Sequence, residues 1–305
     1  MPILKTTSIT HSFEKIQALN DVSISVSKGE MFGLVGPDGS GKTTLIRNIL
    51  GIIEPNKGDV FLFGENRKSN PALVKNRIGY LSQQFSLYED LSIDENIEFF
   101  ASIHNLVEFD ERRNELLAFT RLTPFRDRLA GKLSGGMKQK LALACTLIHK
   151  PDIIFLDEPT TGVDPISRRD FWKILSDLLK QGLTIFLTTP YMDEAERCNR
   201  VALINKGNIL TTNTPENLKS EMGFSILEII PEDPRKSAEK LKEKIIPENV
   251  QLFGERLQIL FNPAEINVND ILGFFRENNI AYHSDRVVKP SMENVFIYYM
   301  NKSNG

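Results

Sequence analysis

Residues 36–44 read GPDGSGKTT, a stretch that combines three glycines with a lysine and two threonines. It matches the pattern G-x-x-x-x-G-K-[ST], in which backbone amides cradle phosphates and the lysine reaches the outer phosphates. The threonine after the lysine can bind Mg²⁺, and a helix start adds positive potential. The sequence therefore predicts a nucleotide-phosphate site made of Gly36, Pro37, Asp38, Gly39, Ser40, Gly41, Lys42, Thr43 and Thr44.

The segments on both sides of this loop favour that interpretation. Alternating apolar residues at 22–26 and the apolar run at 31–35 predict two strands before it. Leu45, Ile49 and Ile52 share one face of a helix that is expected after it. A glycine-rich turn with a chance lysine is the other interpretation, but the order strand, loop, helix is the context that the phosphate pattern requires.

Length and composition indicate a globular protein with more than one domain. A chain of 305 residues exceeds the usual single domain, and 41% apolar with 25% charged residues is ordinary for a globular protein. The 37 basic and 40 acidic residues leave a net charge of -3, so nucleic acid is not expected as a partner.

Targeting signals and cysteine spacing point to the cytoplasm. Cys145 and Cys198 have neither metal-ligand spacing nor disulfide density, and we expect two buried thiols. The first residues lack the features of a signal peptide, and no window approaches about 18 unbroken apolar residues. Any membrane role is therefore expected to come through a partner.

Two adjacent acids follow a second apolar block. Residues 153–156 predict a buried parallel strand that delivers Asp157 and Glu158 at its carboxyl end, where α/β sheets bind ligands. Mg²⁺ on a triphosphate needs a carboxylate, and hydrolysis needs a base that orients water. We expect Asp157 to serve the metal and Glu158 to be the base; a solvated acidic turn is the alternative.

Residues 133–139 read LSGGMKQ, and DEPTTGVDP follows at 157–165. Together with the phosphate loop, these strings resemble the motifs of ATP-binding cassette (ABC) ATPases, over residues 1 to about 222. Ser134 can cap a helix whose start Gly135 and Gly136 leave open to an anion. The resemblance implies that this segment of one subunit closes over ATP held by another, as a homodimer or as a heterodimer with another ABC ATPase.

The resemblance assigns further residues. Phe13 corresponds to the aromatic residue that stacks on adenine, although an ordinary core phenylalanine is the alternative. Gln83 corresponds to the residue that senses Mg²⁺ and the attacking water, and Asp164 to the residue that links two nucleotide sites.

A membrane partner is also implied by the resemblance. Phe85, Leu87 and Tyr88 lie on the stretch that faces a transmembrane partner in the family, with core packing as the alternative. The expected partners are separate permease subunits, which would hold this chain on the inner face of the cell membrane.

Two positions depart from the family pattern. Asp38 puts a carboxylate inside an anion-binding loop, and we expect its side chain to point outward. In TTPYMDEAE at 188–196, Pro190 stands where family members usually have a histidine that contacts the γ-phosphate. Because proline has no side-chain donor and no amide hydrogen, a slower hydrolysis is expected.

The expected fold is an α/β P-loop core of the ABC type with an antiparallel β subdomain. A helical subdomain is expected as an insertion at about 86–150, within an ATPase domain at 1–222. Residues 223–305 follow a β-α-β-β-α-β order, which suggests a small ferredoxin-like α+β domain closed by a helix that starts near Ser291.

The tail at 289–300, KPSMENVFIYYM, resembles the ATPase subunits of drug-resistance-type ABC exporters. The resemblance implies an ATPase whose hydrolysis drives separate permeases. The alternatives are a soluble non-transport ABC ATPase acting on ribosomes or DNA, and a slowly hydrolysing nucleotide-gated regulator, which Pro190 favours.

Overall fold

The computed structural model describes residues 1–70, 76–83, 87–244 and 249–304. Contacts divide the chain into two units, Met1–Thr212 and Asn213–Gly305. The division falls before the predicted boundary at residue 222, because the helix Pro215–Glu221 contacts the last helix of the chain.

The first unit contains an antiparallel sheet with the order β2-β1-β5-β6, in which β3 also pairs with β1. Its strands are β1 (Pro2–Phe13), β2 (Ile16–Val22), β3 (Ser25–Ser27), β5 (Lys57–Leu62) and β6 (Glu65–Asn66).

The single strand predicted at 22–26 is wrong, since β2 ends at Val22 and β3 starts at Ser25. Between them, the buried Thr6 hydroxyl donates to the Val22 carbonyl at 3.2 Å and accepts from the Ile24 amide at 3.0 Å. This side chain thus pairs two backbone groups at the interruption, beside the backbone bond from the Thr6 amide to the Ile24 carbonyl at 2.9 Å.

A six-stranded sheet follows the order β11-β10-β4-β9-β8-β7, and its strands from β10 to β7 are parallel. The carboxyl ends of β4, β9 and β8 therefore meet at one edge. β11 returns from β10 after a turn in which Lys206 and Gly207 both have positive φ, as a tight hairpin requires. The strands are β4 (Met31–Val35), β7 (Ile78–Leu81), β8 (Ile153–Asp157), β9 (Thr184–Thr189), β10 (Arg200–Asn205) and β11 (Asn208–Asn213).

Among the described residues, three α-helices lie between β7 and β8, where the helical insertion is predicted. A capping box of Ser92 and Glu95 starts α2, as the sequence predicts. The left-handed Gly51 ends α1, so Ile52 lies beyond the helix and is 57% exposed, against the expectation that it faces the core. The helices are α1 (Lys42–Leu50), α2 (Ile93–Ile103), α3 (Asp110–Thr120), α4 (Gly135–Leu147), α5 (Pro165–Lys180) and α6 (Met192–Ala195).

The second unit has the predicted element order β-α-β-β-α-β between its first and last helices. Its antiparallel sheet follows the order β13-β14-β12-β15, and one buried cluster joins it to α8 and α9. The elements are α7 (Pro215–Glu221), β12 (Ser225–Pro231), α8 (Pro234–Lys242), β13 (Val250–Phe253), β14 (Arg256–Phe261), α9 (Val268–Glu277), β15 (Tyr282–Val288) and α10 (Met292–Asn304).

Both cysteine thiols are buried and free, as predicted. Within the described ranges, none of the helices is both long and apolar enough to cross a membrane.

Candidate nucleotide site

The phosphate loop runs from the end of β4 to the start of α1, and close backbone contacts require its glycines. The Gly36 amide donates to the Thr189 carbonyl at 3.2 Å, and a Cβ at Gly36 would lie 2.1 Å from the Ile204 carbonyl oxygen. Gly41 has φ of 104°, and a Cβ there would lie 2.5 Å from the Ala18 carbonyl oxygen. Side chains at these two positions would therefore displace the loop.

Lys42 is the first residue of α1, and its side chain is only 3% exposed. Its Nζ donates to the carbonyl oxygens of Gly36 at 2.8 Å and Pro37 at 2.9 Å. The same Nζ lies 3.0 Å from Glu158 Oε1. The lysine head is therefore held between the phosphate loop and the end of β8.

Asp157 ends β8 and is fully buried. Its Oδ1 accepts from Thr188 Oγ1 at 2.7 Å and from Thr43 Oγ1 at 3.1 Å. Its Oδ2 is buried and has no hydrogen-bond partner among the described residues. Because buried polar oxygens are normally paired, this one is available to a ligand.

Glu158 follows in a left-handed conformation with φ of 49°. Its amide donates to Thr188 Oγ1 at 3.0 Å, which fixes the turn at the strand end. Its Oε2 accepts from Gln83 Nε2 at 3.0 Å and from Thr161 Oγ1 at 3.4 Å. The structure thus brings Lys42, Gln83 and Glu158 together.

A pocket of about 360 Å³ opens beside these groups. The Phe13 ring lines it and is 48% exposed, so this residue is not an ordinary core phenylalanine. Asp38 is exposed and also faces the pocket. The lining residues are Phe13, Ala18, Asp38, Gly39, Gly41, Lys42, Thr43, Thr44, Gln83 and Glu158.

The LSGG segment forms the start of α4, away from the residues that line this pocket. Ser134 caps the helix by accepting from the Met137 amide at 3.3 Å. Gly135 is exposed with open space around its Cα, whereas a Cβ at Gly136 would lie 2.3 Å from Ser167 Oγ of α5. The helix start is therefore accessible at Gly135 and packed at Gly136.

Asp164 caps α5 and is exposed. Its Oδ1 accepts from the amides of Ser167 at 3.0 Å and Ile166 at 3.1 Å. The hydrogen bond from the Ser167 amide holds the pKa of Asp164 below its ordinary value. This carboxylate is consequently charged at neutral pH, at a surface beside the start of α4.

The remaining predicted positions follow β9 or precede α2 in the sequence. Pro190 is half-buried directly after β9, and Phe85 falls outside the described residues. Leu87 is half-buried, and Tyr88 is 44% exposed with its ring centroid 4.4 Å from that of Phe99.

Sequence reasoning missed Thr188 and Thr161, which contact the two acids. Thr188 hydrogen-bonds to both Asp157 and the Glu158 amide. The rule that located Asp157, a polar residue at the carboxyl end of a buried strand, applies equally to Thr188 in β9.

Comparison with known proteins identifies the family. The family described as "ABC transporter" matches residues 19–161. The Nod factor export ATP-binding protein I of Burkholderia thailandensis is 40% identical over 245 residues, with 78% of this chain and 79% of the relative covered. This chain is a member of the ABC transporter ATP-binding family. The resemblance found in the sequence is thereby confirmed.

Two other comparisons extend this assignment. The probable multidrug ABC transporter ATP-binding protein YbhF of Escherichia coli (strain K12) is 36% identical over 221 residues, covering 72% of this ABC chain but only 38% of YbhF. A dimeric structure of a post-hydrolysis state of the ATP-binding cassette MJ0796, bound to ADP and Pi, matches with 25% identity and a TM-score of 0.63. It covers 69% of this chain and 98% of that chain, which confirms the predicted ABC-type fold class.

Proposed function

We propose that this chain binds ATP with Mg²⁺, hydrolyses it, and thereby drives export through separate membrane subunits. The observation that carries the proposal is the buried Asp157, whose Oδ1 is shared with Thr43 while its Oδ2 has no partner in the described part of the chain. Carboxylate and hydroxyl oxygens are the ligands that Mg²⁺ takes beside nucleotide phosphates. These residues therefore fit a magnesium-bound triphosphate.

The binding roles follow from position. Backbone amides at the start of α1 and the Lys42 ammonium receive the phosphates, and the exposed Phe13 ring offers a stacking surface for adenine. Thr43, Gln83 and Asp157 would hold Mg²⁺, which when bound offsets the charge on the phosphate oxygens.

Glu158 acts as the general base. Its Oε2, held by Gln83 at 3.0 Å, accepts a proton from the attacking water. Gln83 thus orients both the base and the water. The Lys42 ammonium lies 3.0 Å from Oε1 and holds the other carboxylate oxygen in place.

A second cassette completes the site. Ser134, Gly135 and Gly136 do not line the pocket of their own chain, and the start of α4 is open at Gly135. A helix start of this kind attracts anions, so it would face the triphosphate held by another copy or by a related cassette. The exposed Asp164 lies beside it and would join the two nucleotide sites.

The membrane partner is a permease that docks on the loop before α2. Tyr88 and Phe99 form an aromatic pair there, and Tyr88 is 44% exposed. The names of the relatives, multidrug transporter and Nod factor export, support export as the direction. The chain would then act at the inner face of the cell membrane.

The decisive experiment measures phosphate release from Mg-ATP by the wild type, Glu158→Gln and a matched control, Glu228→Gln, which changes a buried carboxylate of the second unit. Glu158→Gln should hydrolyse about 100-fold more slowly or worse while still binding ATP, because it lacks the base. Equal rates in all three proteins would contradict the proposal. Copurification with a membrane protein from detergent extract tests the transport role separately.

A second candidate is a nucleotide-gated regulator that hydrolyses slowly. Pro190 favours it, because proline supplies no hydrogen-bond donor toward the γ-phosphate. Turnover that stays near zero even in complex with the membrane partner would favour the regulator.

A further inference from the structure

Glu194 in α6 carries a fully buried carboxylate outside the nucleotide pocket. Its Oε1 accepts from Thr160 Oγ1 at 2.6 Å, Arg168 Nε at 2.7 Å and Trp172 Nε1 at 2.9 Å. Its Oε2 accepts from Thr189 Oγ1 at 2.6 Å. A buried charge with this many donors holds all of them in fixed positions.

The donors come from three segments that meet at the site. Thr160 follows Glu158 by two residues, and Arg168 and Trp172 lie on α5, the helix that Asp164 caps. Thr189 is the last residue of β9. One carboxylate therefore connects the loop of the base, the helix beside the second cassette, and the strand end that precedes Pro190.

Thr189 carries this connection to the phosphate loop. Its carbonyl accepts from the Gly36 amide at 3.2 Å. Its Oγ1 also accepts from the Tyr191 amide at 3.0 Å and so spans Pro190, which has no amide hydrogen of its own. A shift of Thr189 would therefore displace both Gly36 and Pro190.

We infer that Glu194 is a positioning residue for ATP hydrolysis, which acts through Thr189 on the phosphate loop. The inference rests on the proposed function, since it concerns the rate at the same site. Oε1 would keep two donors after the loss of one, whereas Thr189 is the only partner of Oε2 among the described residues. Loss of the Thr189 hydroxyl should therefore disturb the Glu194 carboxylate more than loss of any one donor to Oε1.

Three variants of the full chain test this. Thr189→Val removes the hydroxyl and keeps the shape, Thr189→Ser restores a hydroxyl, and Trp172→Phe removes a donor that lies on α5 rather than at the phosphate loop. We expect kcat to fall about tenfold or more in Thr189→Val with KM within about twofold, because misplaced groups slow the chemical step more than binding. Thr189→Ser and Trp172→Phe should stay within about twofold of wild type.

Thermal melting of the same samples separates position from stability. If the cluster is only structural, Thr189→Val and Trp172→Phe lower the melting temperature but leave kcat near wild type, and the inference is overturned. If the wild type is no faster than Glu158→Gln, the proposed function itself fails. These two failures are distinguishable in one set of assays.

Tryptophan fluorescence tests the inference without ATP turnover, and so remains usable if hydrolysis is not observed. Trp172 is the only tryptophan of the chain, and its indole donates to Glu194, so its fluorescence reports on the cluster. ATP should change this emission in Glu158→Gln and change it less than half as much in Glu158→Gln with Thr189→Val. Equal changes in both, or no change in either, would overturn the inference.

Discussion

Asp157 in the first unit and Glu228 in the second are both buried carboxylates, yet their surroundings differ. Glu228 Oε1 accepts from Arg286 at 2.6 Å, and its Oε2 accepts from Gln258 at 3.0 Å. Asp157 has two hydroxyl donors on one oxygen and no described partner on the other. A buried acid that its own chain saturates is structural, whereas one left open is available to a ligand.

The hydrogen bonds to Glu228 also affect its ionisation. Burial opposes its ionisation, but hydrogen bonds from Gln258 and Arg286 hold the pKa of Glu228 below its ordinary value. The second unit thus keeps a charged carboxylate without a ligand. The first unit instead surrounds one Asp157 oxygen with two hydroxyl donors and leaves the other without a partner among the described residues.

The largest expected effect comes from Lys42→Ala, which removes the ammonium group from the nucleotide pocket. Hydrolysis should fall about 100-fold or more, because the positive group that faces the phosphates is lost. Phosphate-release assays check this, with the exposed Lys150→Ala as the control in the same unit. Similar rates in both variants would mean that the open site is not where ATP reacts.

Pro190→His adds an imidazole N–H donor directly after β9, where proline supplies none. Turnover should rise about tenfold, since one preorganised donor to a phosphate oxygen has effects of this order or larger. Pro190→Ala removes the ring without adding an imidazole and should stay near wild type. A rate that Pro190→His leaves unchanged would rule out this explanation for slow hydrolysis.

Glu228→Gln tests the carboxylate whose two oxygens both have hydrogen-bond donors within the chain. Turnover should stay within about twofold of wild type, while the second unit loses about 1 kcal/mol, because the arginine partners are largely exposed and screened. Urea unfolding followed together with activity measures both. A large loss of turnover with a folded protein would place Glu228 in the mechanism.

His149 gives the smallest expected effect. Its Nε2 lies 3.0 Å from the Ile78 carbonyl, and its buried Nδ1 has no partner in the described ranges. Burial, and then the neighbouring His104, lower the pKa of His149 to about 4.

The pH dependence of stability follows from this pKa. Between an ordinary histidine pKa of about 6.5 and the folded value of about 4, the unfolded chain binds a proton that the folded chain does not. The free energy of unfolding should therefore fall as pH falls from 6.5 to 4. Urea unfolding at several pH values measures this free energy. Its slope against pH should be smaller in His149→Gln than in the wild type, by the equivalent of less than one proton. An equal slope in both proteins would contradict the lowered pKa.

Much of the fold and of the site could be predicted because both depend on short patterns. The phosphate loop, the acids after β8 and the capping box at Ser92 each lie within a few residues, and backbone geometry dictates their chemistry. The element order of the second unit follows equally from local periodicity.

The rest depends on contacts between distant residues, which local patterns do not encode. The break between β2 and β3 is paired by Thr6, 16 residues before Val22. The end of α1 at Gly51 is, in contrast, a local glycine signal that the apolar pattern alone overlooked. Glu194 is one of several acids in TTPYMDEAE, and only the fold brings Thr160 and Trp172 to it. Its burial could not be predicted from spacing.

The most direct test of the open carboxylate is calorimetric titration of ATP, with and without Mg²⁺, into the wild type and Asp157→Asn. We expect Mg²⁺ to strengthen ATP binding to the wild type about tenfold or more, and Asp157→Asn to lose this gain because its neutral amide is a poor ligand. An affinity that depends on Mg²⁺ equally in both proteins would contradict the account.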